Sequence, residues 1–208
     1  MATKQLKLKG IDVSKWQGNI DFKRVKQSGQ DFVIIRAGYG QRAKDPYFER
    51  NYIGAKFAGL SVGAYWYSYA TSIREAEIEA KNCIALLCGK QFDFPIYYDI
   101  EEPKQLARGK QFINDIIRKF CQTMESAGYY VGVYMSKSPA ETLLDDDVKK
   151  NYDLWIAQYN KTCTYKGSYQ IWQNSSEGKI DGINGKCDTD VCTFDYPGVI
   201  KKKHFNGY

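Results

Sequence analysis

A chain of 208 residues with 43% hydrophobic residues is long enough to bury one core without metal or disulfide staples, and no part of it has the composition of a disordered segment. No run approaches the roughly 18 apolar residues that span a bilayer, and no RNA- or DNA-binding motif accompanies the net charge of +6. Neither a membrane nor a nucleic acid is therefore an expected partner, and an anionic cell-wall polymer suits the charge as well. The single histidine, His204, lies in the lysine-rich 201–204 stretch, which excludes Ser-His-Asp and Cys-His hydrolases and most zinc sites.

In chain order, short apolar runs that end in polar or aromatic residues alternate with amphipathic stretches, the rhythm of a parallel α/β fold. Strands are predicted over 10–14, 32–38, 61–67, 95–101, 130–135, 154–159 and 169–173, with a short last one near Asp188. Helix-type spacing covers 21–28, 46–58, 72–87, 107–127 and 140–150, and Gly29, Gly59, Gly89 and Gly128 stand where C-terminal caps belong. The helix from Ala107 is the clearest, since Phe112, Ile113, Ile116, Ile117 and Phe120 recur at helical intervals. Past Tyr159 no helix is predicted, so about eight strands and about five helices make a flattened or incomplete barrel. One domain is expected over 10–197, with 1–9 as an N-terminal extension and 198–208 as a basic tail or linker stub.

None of the six cysteines has C-x-x-C spacing. Cys83, Cys88 and Cys121 sit in helix-like segments as small buried apolar residues. Cys187 and Cys192 bracket Asp188 and Asp190 closely enough for a short-loop disulfide.

What chemistry remains is that of carboxylates, and no cofactor or metal site is implied. In a barrel of parallel strands the active site lies at the carboxyl ends of the strands. The first strand offers Asp12 there, the fourth Asp99 and Glu101, and the last Asp188. Side chains at i and i+2 leave a strand on the same face, about 6.5 Å apart along the backbone. Asp99 and Glu101 can thus work together, one acid protonating a leaving oxygen while its neighbour steadies the charge that develops. They follow Phe94-Pro95-Ile96-Tyr97-Tyr98, a run that neighbours should bury, where acids are rare without pairing or function. Asp21, Asp45 and Asp145-Asp146-Asp147 read instead as surface charges or helix caps.

The chain carries 17 Tyr and 4 Trp, more rings with polar tips than an apolar core requires. On the third strand Tyr65, Tyr67 and Tyr69 share one face and Trp66 takes the other, while Tyr134 and Trp155 belong to the fifth and sixth strands. Rings at such places stack on sugars and bond their hydroxyls. Each ring alone serves a core equally well; the group favours a carbohydrate ligand.

Gly10-Ile11-Asp12-Val13-Ser14 is followed by Trp16-Gln17-Gly18, then Gly63-Ala64-Tyr65, Tyr98-Asp99-Ile100-Glu101, Leu154-Trp155-Ile156-Ala157, Ile171-Trp172-Gln173 and Gly185-Lys186-Cys187-Asp188. In this order and spacing, residues 10–196 resemble glycoside hydrolase family 25, the Chalaropsis-type lysozymes of bacterial autolysins and phage endolysins. The resemblance implies an α/β, flattened and irregular TIM-like barrel that hydrolyses the β-1,4 bond between N-acetylmuramic acid and N-acetylglucosamine in bacterial peptidoglycan. On the family pattern Glu101 would be the general acid. Asp99 would orient or polarise the 2-acetamido group of the substrate, which could itself attack the anomeric carbon. Asp12 and Asp188 would complete an acidic floor that tunes the acid by like-charge repulsion. An inverting route through an activated water stays open. The chain departs from the pattern at Trp66, where many members carry a histidine or smaller aromatic, and at Asp190, where many carry asparagine.

Met1-Ala2-Thr3-Lys4 lacks the apolar segment of a signal peptide. Two settings fit: an endolysin held in the host cytoplasm until holin release, or the catalytic domain of a secreted autolysin. A non-catalytic wall-binding barrel and a chitinase-like hydrolase, which also ends a strand in D-x-E, are the competing readings.

Overall fold

The computed structural model describes residues 6–208. Its strands are β1 (Leu8–Val13), β2 (Phe32–Tyr39), β3 (Ala43–Lys44), β4 (Ser61–Tyr67), β5 (Ile96–Asp99), β6 (Val131–Ser136), β7 (Asp153–Ala157), β8 (Ile171–Gly178) and β9 (Cys187–Cys192). The helices are α1 (Phe22–Gln27), α2 (Phe48–Phe57), α3 (Ile73–Leu87), α4 (Pro103–Leu106), α5 (Lys110–Ser126), α6 (Lys137–Leu143), α7 (Asp146–Asn151) and α8 (Tyr196–Lys202). Neighbouring strands run parallel in the order β1, β2, β4, β5, β6, β7, β8; β9 then lies antiparallel between β8 and β1 and closes an eight-stranded barrel. The two-residue β3 only doubles back on β2. Among the described residues no helix is long and apolar enough to cross a membrane.

Strand alternation divides the apolar side chains into two layers. Ile11, Val13, Val33, Ile35, Val62, Ala64, Trp66, Ile96, Tyr98, Val131, Val133, Leu154 and Ile156 face outward and pack beneath the helices. Ile34, Tyr65, Tyr97, Tyr134, Trp155 and Ile171 point into the barrel. The interior is crowded enough to dictate a glycine: a Cβ on Gly132 would stand 2.5 Å from the Tyr97 ring.

Three differences from the sequence reading have local causes. The single helix predicted over 107–127 is preceded by the separate turn α4, because Gly109 adopts a left-handed φ of 83°. The one predicted over 140–150 is two helices, parted where Leu144 is extended and the Asp145 N–H donates to Asn114 Oδ1 at 2.8 Å. Cys187 and Cys192 are free thiols. Five residues apart on one strand, they leave it on opposite faces and are separated by about 16 Å of rise, so no bridge can form. Cys83 and Cys121 are buried as expected, whereas Cys88 ends α3 and is exposed.

The expected tail over 198–208 is folded onto the barrel. Asp195 caps α8 by accepting from the Gly198 N–H, and Tyr196 and Ile200 close the base of the interior against Phe94 and Tyr97. Beyond the helix, Asn206 is fully buried: its Nδ2 donates to the Phe94 carbonyl at 2.9 Å, and its Oδ1 accepts from the Tyr130 N–H at 2.8 Å. Tyr208 OH donates to Asp93 Oδ1 at 2.6 Å. The Asp195-Tyr196-Pro197 start was a readable helix signal, since proline suits a first turn and aspartate a cap. At the other end the expected extension 1–9 already pairs at Leu8 and Lys9 with Cys192 and Val191; residues 1–5 lie outside the described residues.

Replacing Asn206 by alanine removes both bonds and leaves a buried N–H and C=O unpaired. A loss of about 2–4 kcal/mol in urea unfolding is expected, and an unchanged midpoint would show the chain end to be ornamental to stability.

Candidate active site

At the carboxyl ends of the parallel strands lies a cleft of about 440 Å³. Asp12, Asp99, Glu101, Asp188, Tyr65, Tyr67, Tyr134 and Trp155 all line it. All but Glu101 arrive there by strand parity. Tyr97 and Asp99 are the inward residues of β5, and Asp188 and Asp190 are inward on β9, with Asp188 directly opposite Asp12 in the antiparallel register. β5 ends at Asp99, so Glu101 stands just past the strand rather than on it.

The floor is a bonded network. Gln173 Nε2 donates to Asp12 Oδ2 at 2.7 Å, while Gln173 Oε1 accepts from Tyr134 OH at 2.9 Å and Tyr159 OH at 3.0 Å. Trp155 Nε1 donates to Asp190 Oδ1 at 2.8 Å. Asp190 is thus buried beneath the cleft, whereas Asp188 lines it. Asp99 is 4% exposed, and its Oδ1 has no hydrogen-bond partner among the described residues.

Burial is the largest influence on every acid of this group and raises them all. Asp12 is held well above the ordinary carboxylate range by burial and then by Asp190 and Asp188, with the Gln173 hydrogen bond acting the other way. Asp99 is likewise held well up by burial and then by Glu101, against a smaller opposite pull from Arg36. Burial raises Glu101, with Asp188 and Glu102 adding to it. Burial also raises Asp188 and Asp190, and Asp188 pushes Asp190 further.

The walls are rings of unequal exposure. Trp155 is 1% exposed, wedged among Tyr65, Tyr97 and Tyr134, so it is floor rather than a stacking surface. The open rings are Tyr69, Tyr159 and Trp16, the last 75% exposed at the rim. The outward Trp66 is buried behind the cleft and donates from Nε1 to the Gly40 carbonyl at 3.0 Å.

Two supporting carboxylates escaped the sequence reading. Asp45, read there as a surface charge or cap, has no exposed surface: its Oδ2 accepts from Arg36 Nε at 2.8 Å and from the Lys15 N–H at 3.1 Å, and its Oδ1 from the Tyr47 N–H. The pairing with Arg36, nine positions back along the chain's β2–β3 hairpin region, left no local pattern to read. Glu79 is buried on α3, accepting from Tyr98 OH at 2.6 Å, Ser68 Oγ at 2.9 Å and the Tyr69 N–H at 2.9 Å. Its signal was its place between Ala76, Ala80 and Cys83 on the apolar stripe of that helix. Asp21 does cap α1, as expected.

A β/α barrel with carboxylates gathered at the carboxyl ends of its strands, under a wall of aromatic rings, has the make-up of a glycoside hydrolase. The chain belongs to glycosyl hydrolases family 25, whose family model matches residues 11–183. It is 33% identical over 184 residues to the autolytic lysozyme of Clostridium acetobutylicum, an alignment that takes in 88% of this chain and 55% of that protein. Among solved structures it resembles the modular autolysin LytC of Streptococcus pneumoniae in complex with a synthetic peptidoglycan ligand, with a TM-score of 0.82, 30% identity and coverage of 91% of this chain and 47% of LytC. The CTP1L endolysin gives a TM-score of 0.82 at 28% identity, with 94% of this chain and 70% of the endolysin covered. The chain thus spans about half the length of the two autolytic relatives.

The raised pKa values of Asp12 and Asp190 fix the sign of a pH effect. The folded protein holds protons that the unfolded chain releases, so this stability is complete below the ordinary carboxylate range and is lost as pH rises through the raised values. Asp190→Asn keeps an oxygen for Trp155 and removes the titrating carboxyl. It should raise Tm at pH 7 by about 2–4 °C, a gain that shrinks toward pH 4 in a thermal-shift series; a gain independent of pH would assign it to packing.

Proposed function

We propose that the chain is a muramidase, hydrolysing the β-1,4 bond between N-acetylmuramic acid and N-acetylglucosamine in bacterial peptidoglycan. The observation that carries this reading is the pairing of two unlike acids. Glu101 is partly exposed at the cleft with its pKa raised, which suits an acid that must hold a proton near neutral pH and give it to the leaving oxygen. Asp99 is buried with an unpartnered Oδ1, and an N-acetyl group offers the N–H such an oxygen lacks.

In this reading Asp99 bonds the acetamido N–H and turns the acetamido oxygen toward the anomeric carbon. That oxygen attacks as Glu101 protonates the departing glycosidic oxygen, and a ring-closed intermediate is then opened by water with Glu101 as base. Asp188 lines the floor beneath an oxocarbenium-like charge, next to Asp12, which Gln173 holds in place. Family membership and the autolytic and endolytic relatives support the cell wall as the place of action, and the net charge of +6 suits a wall that carries anionic polymers.

Glu101→Gln should lower release of new reducing ends from purified peptidoglycan at least about 100-fold with an unchanged circular dichroism spectrum. Mass spectrometry of the wild-type products should place the new reducing end on N-acetylmuramic acid. Retained turnover, or a reducing end on the other sugar, would overturn the assignment.

Because Glu101 must be protonated, the alkaline limb of activity should follow its raised pKa. Asp188→Asn removes a like charge and should move that limb to lower pH, read from initial rates at constant ionic strength; a fixed limb would transfer it to another group.

A further inference from the structure

Among the described residues two cations line the cleft, Lys15 and Arg36. Arg36 is neutralised, its NH2 group 2.8 Å from Asp45 Oδ2 and its Nε bonded to the same oxygen. No carboxylate of the described residues forms a salt bridge with Lys15. Its ammonium is held instead by two rings, 4.8 Å from the centroid of Trp16 and 5.9 Å from that of Tyr39.

The backbone that carries Lys15 is fixed. After β1, the 3-10 turn Lys15–Gln17 is closed by a capping box in which Ser14 Oγ accepts from the Trp16 N–H and Gln17 Oε1 from the Ser14 N–H. The Lys15 N–H is tied to Asp45, so the residue is anchored to the neutral pair below it. The cleft therefore has polarity: Asp12, Asp99, Glu101 and Asp188 on the floor, and one unpaired cation beside an exposed indole on the wall formed by the β1 turn.

A substrate that is a neutral sugar chain needs no such cation, whereas one bearing a carboxylate is repelled by the floor and drawn to it. We propose that Lys15 is a specificity-determining residue that receives a carboxylate carried by the substrate, fixing which sugar lies over Glu101. The identity of that substrate rests on the muramidase reading. There the carboxylate belongs either to the lactyl ether of the muramic sugar or to the peptide attached to it, and both present the same chemistry to the ammonium.

The test is binding to the Glu101→Gln variant, with and without Lys15→Met, which keeps the aliphatic stem over Trp16 and removes the charge. Three tetrasaccharide probes are compared by calorimetry: one carrying stem peptides, one stripped by an amidase to free lactyl groups, and chitotetraose, which has no carboxylate. Lys15→Met should weaken binding of at least one acidic probe about fivefold and leave chitotetraose unmoved. Lys15→Arg should restore it, and about 0.5 M salt should erase the difference. Whichever acidic probe responds identifies the source of the carboxylate. Equal loss for chitotetraose, or no loss for either acidic probe, overturns the proposal. Wild-type failure to release reducing ends would sink the activity instead, and it leaves the binding comparison decisive on its own.

Discussion

Everything at the cleft depends on the inside-outside parity of β5. Tyr98 points outward, stacks on Phe120 with ring centroids 3.8 Å apart, and bonds the buried carboxylate of Glu79. That fixes its neighbours Tyr97 and Asp99 inward. A slip of one residue would bury the Tyr97 hydroxyl under α5 and drive Asp99 into the apolar layer between sheet and helices. Asp99 therefore owes its inward direction to an aromatic stack on the far side of the strand. Ser68, which accepts from Gln105 Nε2 and donates to Glu79, extends the same network to the loop that presents Tyr69.

Holding several acids in one interior opposes stability, because burial and mutual repulsion both disfavour their charged forms. The barrel limits the conflict by spreading partners through the floor. Gln173 supplies Asp12 with a donor, Trp155 supplies Asp190, and Arg36 pairs with Asp45. Asp99 Oδ1 and Asp190 Oδ2 keep no hydrogen-bond partner among the described residues. Strain of this kind is tolerated where it serves binding or chemistry.

Much of this was legible in the sequence because strands and amphipathic helices announce themselves by period, and because acids that end an apolar run have few bland explanations. The eight parallel or closing strands and the cleft-lining acids are of that kind. Residues whose meaning depends on pairing across the barrel were not. Asp45 looks like a surface residue until Arg36 and the Lys15 backbone are set beside it, and Gln173 shows nothing in sequence of its bond to Asp12, 161 positions earlier. Helix α8 was passed over because seven residues give too little periodicity to read, although its cap and proline were present. The exposure of rings was equally hidden: Trp155 and Trp16 look alike in sequence, and one is floor while the other is rim.

Strand β9 has a double duty with a consequence for how the molecule comes into being. It closes the barrel between β8 and β1, and it carries Asp188 and Asp190 to face Asp12. A chain growing from its amino end can stack β1 to β8 and their helices in order, through contacts local to each strand-helix unit. Asp12 nonetheless waits open-sided until residues 187–192 emerge and pair across nearly the whole length of the sequence. The acid floor is therefore complete only once β9 closes the ring, and a chain that stops short of it carries most of the strands without Asp188 and Asp190 beside Asp12.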